Sequence, residues 1–169
     1  MSGGVELLGA KRLWPREELA RRLQELRATR PLAVVLANGC FDLLHVGHLR
    51  YLTGARSLGD LLVVALNTDE SVRALKGEGR PLVPLEERAE LLLGLEVVDA
   101  VTSFSERDLG NTLRALLPAV HAKGTDYTEG TVPEAALDRE LGIRVAITGD
   151  AKDHATSELV ARLGRSSAT

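Results

Sequence analysis

The sequence predicts an α/β fold with a doubly wound, five-stranded parallel sheet. Five apolar runs have the length and branched-residue content of buried strands. Segments with the helical spacing of apolar residues alternate with these runs, which is typical of a parallel sheet covered by helices on both faces. Polar or glycine-containing segments follow several of the runs. In such sheets ligands bind beyond the carboxyl ends of the strands, where the strand order reverses, so we expect the functional site there.

The elements follow one another in a regular order. The first helix is predicted to begin near Pro15, where a missing N–H is tolerated, and to carry Leu19, Leu23 and Leu26 as one apolar stripe. The predicted strands are 32–37, 61–66, 97–101, 119–122 and 143–147. Further helices are predicted after His45, over 71–75, from Pro84, over 109–117, over 133–141 and over 156–163. We therefore expect a single domain over 1–169, with 1–30 as a helical segment packed on it and 165–169 as a disordered tail.

Length, charge and composition limit the possible functions. A chain of 169 residues with 44% hydrophobic residues can bury its own core. The net charge of −3 argues against a broad basic face for nucleic acid, so cations must be concentrated locally to hold an anion. The single cysteine, Cys40, excludes an intramolecular disulfide and fits a reducing compartment. Because no signal-peptide pattern or membrane-length apolar run is found, we expect a cytoplasmic protein that binds neither nucleic acid nor membrane.

The most informative segment is 38–48, which reads NGCFDLLHVGH and joins the first predicted strand to a helix. The start of a helix presents unpaired N–H groups and a positive dipole end, both of which favour anions. His45 and His48 lie three residues apart and so share one face of the first turn. Gly47 between them lets a phosphate approach the backbone. The segment predicts a phosphate site, and the alternative without function is a helix that begins with two solvated histidines.

Further candidate ligands lie at predicted strand ends and helix starts. They are Asn67 and Asp69 after the second strand, Lys123 to Tyr127 after the fourth, and the cations Lys76, Arg80 and Arg88 between them. Each has a structural alternative: a solvated loop for Lys76 and Arg80, a carboxylate pair for Arg88, and helix capping for Asp42 and Asp69. The sequence has no zinc-ligand spacing, Walker-type P-loop or GxSxG motif.

The segment 38–48 resembles the HxGH signature of the cytidylyltransferase-like nucleotidyltransferases. Four more segments resemble one branch of that superfamily, the heptose 1-phosphate adenylyltransferases. They are LKG with RP in 75–81, PLEER at 84–88, VDAV with Phe104 in 98–104, and KGTDY at 123–127. The resemblance covers nearly the whole chain and implies a Rossmann-like nucleotidyltransferase fold of the HIGH superfamily.

The resemblance implies adenylyl transfer from ATP to D-glycero-D-manno-heptose 1-phosphate, giving ADP-heptose and pyrophosphate. ATP and the sugar 1-phosphate are then the partners, Mg²⁺ accompanies ATP, no residue is assigned as a metal ligand, and a homodimer is left open. The catalytic residues are expected to be His45, His48, Lys76 and Lys123. The nucleotide is expected to contact Asn38, Gly39, Cys40, Phe41, Asp42, Gly47, Asn67, Asp69, Arg80, Arg88, Thr156 and Ser157. The acceptor is expected to contact Lys123, Gly124, Asp126 and Tyr127.

One departure concerns the last predicted helix, which in the family usually begins with a Ser-Thr-Thr-like triplet. Here Ala155-Thr156-Ser157 lacks the first hydroxyl, and we expect Thr156 and Ser157 still to cap the helix and bind phosphate. Within the superfamily, the alternatives are a cytidylyltransferase for glycerol 3-phosphate and an FAD-synthesising adenylyltransferase. A phosphopantetheine adenylyltransferase fits less well, because its first motif usually has Thr in place of His45. Outside these enzymes, the alternatives are a non-catalytic nucleotide-binding domain and a structural α/β module.

Overall fold

A computed structural model describes residues 3–150 and 160–161. Its strands are β1 (Leu13–Trp14), β2 (Val34–Gly39), β3 (Leu61–Asn67), β4 (Ala100–Phe104), β5 (Val120–Gly124) and β6 (Arg144–Thr148). Its helices are α1 (Gly3–Leu8), α2 (Arg16–Thr29), α3 (Val46–Arg56), α4 (Asp69–Lys76), α5 (Leu85–Leu93), α6 (Gly110–Leu116) and α7 (Ala135–Glu140). The described strands form one parallel sheet in the order β1-β4-β3-β2-β5-β6.

The predicted count of five strands was wrong, because the described part of the sheet has six. The additional strand, β1, is two residues long and therefore has no periodicity that a sequence pattern could reveal. It lies on the edge of the sheet, where Trp14 pairs with Thr102 of β4 and accepts a 2.9 Å hydrogen bond from the Thr102 hydroxyl at its carbonyl oxygen. The third predicted strand, 97–101, also began too early. The N–H of Val98 donates to the carbonyl of Leu95 in the turn that precedes β4.

The sheet is buried on both faces, as β3 shows. Every residue of β3 is buried, and successive side chains point to opposite faces. Leu61, Val63 and Ala65 pack in a core cluster with α2 and α6, which includes Leu19 and Leu23 of the predicted apolar stripe. Leu62, Val64 and Leu66 pack in a second cluster with α3 and α5. The continuous apolar runs in the sequence therefore correspond to strands covered by helices on both sides.

The strand order reverses between β2 and β5. From β2 the chain moves through β3 to β4 on one side, and it then crosses back to place β5 on the other side of β2. Ala37 of β2 pairs with Ala122 of β5, so the residues that follow each of them, Asn38 and Lys123, reach the same edge of the sheet. This edge is the position at which a doubly wound sheet is expected to bind its ligand.

Two predicted segments fall at the end of the chain. The helix over 156–163 lies outside the described residues except for 160–161, which are helical, and the tail 165–169 lies outside them entirely. Thr156 and Ser157 are thus outside the described residues as well. Among the described helices, none is long and apolar enough to cross a membrane.

The turn from α3 into β3 requires a glycine. Asp60 donates its N–H to the carbonyl of Ala33 at 2.7 Å, and its carboxylate accepts the N–H of Ala33 at 2.7 Å. The turn therefore lies directly on the start of the neighbouring strand. A Cβ atom added at Gly59 would lie 2.5 Å from the oxygen of Ala33 and 2.7 Å from a methyl group of Val35. A side chain here would force β2 and the turn apart.

We expect Gly59→Ala to lower the free energy of unfolding by about 1–3 kcal/mol, because the added methyl group overpacks against backbone. Urea denaturation followed by circular dichroism measures the change. Gly130→Ala is the matched control, because a Cβ there meets nothing within 4 Å, and we expect it to stay within about 0.5 kcal/mol of the unmodified chain. Equal stability of the two variants would contradict the close packing of this turn.

Candidate functional site

A cavity of about 780 Å³ lies at the carboxyl edge of the sheet, where the ends of β2 and β5 meet. Most of the predicted site residues line it. They are Asn38, Gly39, Cys40, Phe41, Asp42, His45, Gly47, His48, Asn67, Lys76, Arg80, Lys123, Gly124, Asp126 and Tyr127. Among the predicted residues that the structure describes, Asp69 and Arg88 do not line the cavity.

A sharp turn after β2 brings the first part of the motif under the cavity. Phe41 has a φ of 47°, in the left-handed region that side chains rarely adopt. Gly39 makes room for this turn, because a Cβ there would lie 3.1 Å from the Phe41 ring. The ring packs beside His48, with 5.0 Å between ring centroids, and stacks on Tyr51 at 6.3 Å. The turn thus gives the second histidine an aromatic support.

The two histidines face each other at the start of α3. The imidazole rings of His45 and His48 are stacked, with their centroids 3.8 Å apart. His45 is the N-cap residue, and its carbonyl accepts the N–H of His48 at 3.0 Å, but its side chain does not cap the helix. Both imidazoles and the positive end of the helix therefore border the same space, which favours an anionic ligand.

The charge state of this corner follows from burial. Burial is the main cause that lowers the pKa of His48 to about 4, and the positive charges of His45 and Lys76 lower it further. At neutral pH the His48 imidazole is therefore uncharged and donates through one ring nitrogen. Burial also raises the pKa of the Cys40 thiol, which lies 3.6 Å from the amide oxygen of Asn67. A protonated thiol is a poor nucleophile, so we assign Cys40 no chemical role. It forms part of the cavity wall.

Arg80 and Asp42 bind each other at the edge of the cavity. A guanidinium nitrogen of Arg80 lies 2.6 Å from one carboxylate oxygen of Asp42, and the other oxygen accepts the N–H groups of Leu82 and Val83 at 2.7 and 3.0 Å. Burial acts to raise the pKa of the Asp42 carboxyl, but the hydrogen bonds from Arg80, Val83 and Leu82 outweigh it and lower that pKa. Both oxygens of Asp42 are therefore engaged within the protein, which joins the loop at 80–83 to the turn of the motif.

Arg88 lies behind the wall of the cavity and is completely buried. Its guanidinium donates to the carbonyls of Val83, Cys40 and Asn67 at 2.9, 2.6 and 3.0 Å, and to the carboxylate of Asp69 at 2.6 Å. Arg88 and Asp69, both predicted to contact nucleotide, thus lie outside the lining of the cavity. Helical periodicity cannot tell whether a side chain one turn into a helix points into a cavity or under it, since that depends on how the helix packs. Through these hydrogen bonds Arg88 links the ends of β2 and β3 to the loop before α5.

Lys123 borders the cavity from β5. It is 5% exposed, and its ammonium group lies 3.2 Å from the amide oxygen of Asn38 and 3.4 Å from the carboxylate of Glu134. The ring of Tyr127 covers it at 4.9 Å. Lys76, by contrast, is the exposed last residue of α4. Of the two lysines that line the cavity, one is therefore held at β5 and the other has a long, exposed side chain.

Sequence reasoning missed several residues of the cavity wall. Arg107 and Asp108 follow β4, Thr148 is the last residue of β6, and Gly149 and Asp150 follow that strand. The rule that site residues follow strands, applied to these two strands as well, could have found them. Glu134 lines the cavity from the N-cap position of α7, and no sequence signal pointed to it. Within the described part of the chain no three His, Cys, Asp or Glu residues are grouped to hold a metal ion.

Comparisons with known proteins agree on one family. A family model described as cytidylyltransferase-like matches residues 36–161. The chain is 46% identical over 130 residues to the bifunctional protein HldE of Geobacter sulfurreducens, covering 77% of this chain and 26% of that protein. It is 40% identical over 149 residues to HldE of Desulfatibacillum aliphaticivorans, covering 88% of this chain and 30% of that protein. The chain thus spans between a quarter and a third of the length of these curated relatives.

A solved structure gives the same result for the fold. The lipopolysaccharide core biosynthesis protein from Thermoplasma volcanium GSS1 is 28% identical in sequence, with a TM-score of 0.62. The match covers 72% of this chain and 100% of that chain.

The position of Arg88 predicts its effect on stability. We expect Arg88→Met to lower the free energy of unfolding by about 3–5 kcal/mol, because it leaves three backbone carbonyls without a donor and Asp69 without its cation. Urea denaturation measures this. Arg114→Met is the control: its ion pair with Glu140 is exposed at both side chains, so we expect a change below about 1 kcal/mol. A small effect of Arg88→Met would contradict its role as the anchor of this wall.

The environment of His48 predicts its titration. We expect NMR of the imidazole carbon-bound protons to give a pKa near 4 in the folded protein. An unfolded peptide spanning 43–53 should titrate near the ordinary value of about 6.5. Since the unfolded chain then binds a proton that the folded chain does not, His48 makes the folded state less stable as the pH falls from about 6.5 to about 4. A pKa of His48 near 6.5 in the folded protein would contradict the burial of its imidazole beside positive charges.

Proposed function

The chain belongs to the cytidylyltransferase-like family and is a nucleotidyltransferase, and we propose that it transfers an adenylyl group from ATP to D-glycero-D-manno-heptose 1-phosphate. The products are ADP-heptose and pyrophosphate. The observation that carries the proposal is the stacked pair His45 and His48 on the same cavity as Lys76 and Lys123. The choice of base and sugar rests on the resemblance of five sequence segments to the heptose 1-phosphate adenylyltransferases. The HldE relatives and the lipopolysaccharide core biosynthesis protein are in accord with it.

The reaction needs no nucleophile from the protein, because a phosphate oxygen of the acceptor attacks the α-phosphorus of ATP. The bond from this phosphorus to the bridging oxygen of pyrophosphate breaks, and pyrophosphate leaves with the bond electrons. The protein aligns the two reactants and stabilises the negative charge that grows on the leaving group. In our proposal His45 and His48 donate hydrogen bonds to the triphosphate, together with the N–H groups at the start of α3. The low pKa of His48 means that its imidazole is uncharged before the nucleotide binds.

The two lysines have different parts in this proposal. Lys123, fixed at the end of β5, binds the acceptor phosphate, and Gly124, Asp126 and Tyr127 border the sugar. Lys76, exposed at the end of α4, reaches over the triphosphate with its long side chain. Arg80 stays at the edge of the cavity with Asp42, and Arg88 and Asp69 support the wall from behind. Thr156 and Ser157 remain proposed phosphate ligands outside the described residues.

Magnesium fits this site as an ion that enters with ATP. It prefers oxygen ligands and keeps several waters, so it does not require a cage of protein side chains. The cavity wall carries the carboxylates of Asp108, Asp126 and Asp150, which are ligands of the right chemistry. When bound, the ion would neutralise charge on the phosphates. We further propose that the protein acts in the cytoplasm, as its single cysteine suggests.

The first experiment measures pyrophosphate release with Mg²⁺, crossing ATP and CTP with heptose 1-phosphate, glycerol 3-phosphate and FMN. We expect release with ATP and heptose 1-phosphate alone. His48→Ala should lower the rate by about 10²–10³, the usual loss when one preorganised donor is removed. Thr102→Val is the control, because Thr102 is buried, does not line the cavity, and donates its hydroxyl to the carbonyl of Trp14 in the edge strand.

The other outcomes of this panel separate the alternatives. Release with CTP and glycerol 3-phosphate would keep the reaction and overturn the substrate, as would release with ATP and FMN. Nucleotide binding without release in any combination would overturn catalysis in favour of a nucleotide-binding domain. Full activity of His48→Ala would overturn the role of the histidine.

A further inference from the structure

A chain of buried polar side chains runs from α7 to the cavity. His121 of β5 and Asp138 of α7 are both completely buried. Nδ1 of His121 lies 2.9 Å from Oδ2 of Asp138, and its Nε2 lies 3.2 Å from Oδ1 of Asn38. The same Asn38 oxygen is 3.2 Å from the ammonium group of Lys123. Neither His121 nor Asp138 lines the cavity, yet both are linked to two residues that do.

These hydrogen bonds form because the spacing of residues along β5 matches the spacing along α7. His121 and Lys123 are two residues apart on β5, so their side chains share one face and are separated by about 6.6 Å along the strand. Asp138 and Glu134 are four residues apart at the start of α7, a separation of about 6 Å along the helix. Asp138 meets His121, and Glu134 meets Lys123 at 3.4 Å. α7 therefore supplies one carboxylate to each of the two basic residues.

The chemistry of the partners fixes the hydrogen-bond directions. The ammonium group of Lys123 can only donate, so the atom of Asn38 that faces it must be the amide oxygen. That oxygen also faces Nε2 of His121, which must then carry its proton and donate. Nδ1 consequently shares a proton with Asp138, as an imidazolium–carboxylate pair or as a neutral pair. The amide nitrogen of Asn38 is turned away from both donors.

We propose that His121 and Asp138 are positioning residues that set the orientation of Asn38 and Lys123 for the acceptor phosphate. Lys123 has three N–H bonds, of which one is directed at Asn38 and one at Glu134. The third is left for the phosphate oxygen that attacks. Without the His121 donor the Asn38 amide can rotate, and Lys123 loses a fixed acceptor. The role in catalysis rests on the proposed nucleotidyl transfer, whereas the ordering of Lys123 does not.

The test compares His121→Leu with Asp138→Asn. Thr102→Val is the control, because Thr102 is buried but is not one of the hydrogen-bonded side chains described above. Leucine fills the space of His121 without a donor, whereas an asparagine at 138 can donate to Nδ1 and keep the proton on Nε2. We expect His121→Leu to lower kcat/KM for the acceptor about tenfold, the loss typical of a hydrogen bond to a charged group, with an unchanged KM for ATP. Asp138→Asn and Thr102→Val should stay within about twofold.

A second readout is independent of turnover. The rate at which acetic anhydride modifies Lys123, followed by mass spectrometry, should rise in His121→Leu and remain unchanged in Asp138→Asn. Should His121→Leu fail to fold, Asp138→Ala tests the same link, because it frees Nδ1 to take the proton from Nε2. If the unmodified protein turns over no acceptor, the proposed function fails, and the labelling contrast still decides the ordering of Lys123. Unchanged kinetics and labelling in the folded His121 variant would overturn the inference, as would an equal loss in Thr102→Val.

Discussion

The reversal of strand order between β2 and β5 is the constraint on which the site depends. The connections that follow these two neighbouring strands lead to opposite sides of the sheet, so the space beyond their carboxyl ends is left open. One wall of the cavity then comes from the turn and helix after β2, and another from the residues after β5. Groups far apart in the sequence meet because the two strands are paired: Asn38 and Lys123, 85 residues apart, lie within 3.2 Å of each other.

Buried charges link the segments at this edge of the sheet. Arg88 joins the ends of β2 and β3 to the loop before α5, and Asp42 binds the same loop through two backbone N–H groups. Burial of each charge is tolerated because hydrogen bonds replace its water shell. Side chains that a sequence motif suggests as phosphate ligands can thus be required for the shape of the wall. Arg88 and Asp42 thus support the walls of the cavity that the histidines and Lys123 border.

The cavity combines an exposed and a buried lysine with the His48 imidazole, which is uncharged at neutral pH. Burial and neighbouring positive charges favour the neutral form of His48. The same positive charges attract a polyphosphate. Lys123 has its orientation set by Asn38, Glu134 and Tyr127, whereas Lys76 is exposed. The protein therefore places one buried and one exposed lysine at the cavity, although its net charge is negative.

The sequence by itself determined the alternation of strands and helices and the segment 38–48, because periodicity and turn chemistry are local and parallel strands bring their carboxyl ends together. His45, His48 and Lys123 were predictable because each lies near the carboxyl end of a strand. Tertiary structure alone decided that β1 pairs with β4, that Arg88 points beneath the cavity, and that His121 contacts Asp138 from 17 residues away. These features depend on how a helix or edge strand packs against a distant partner, and local sequence patterns do not encode that packing.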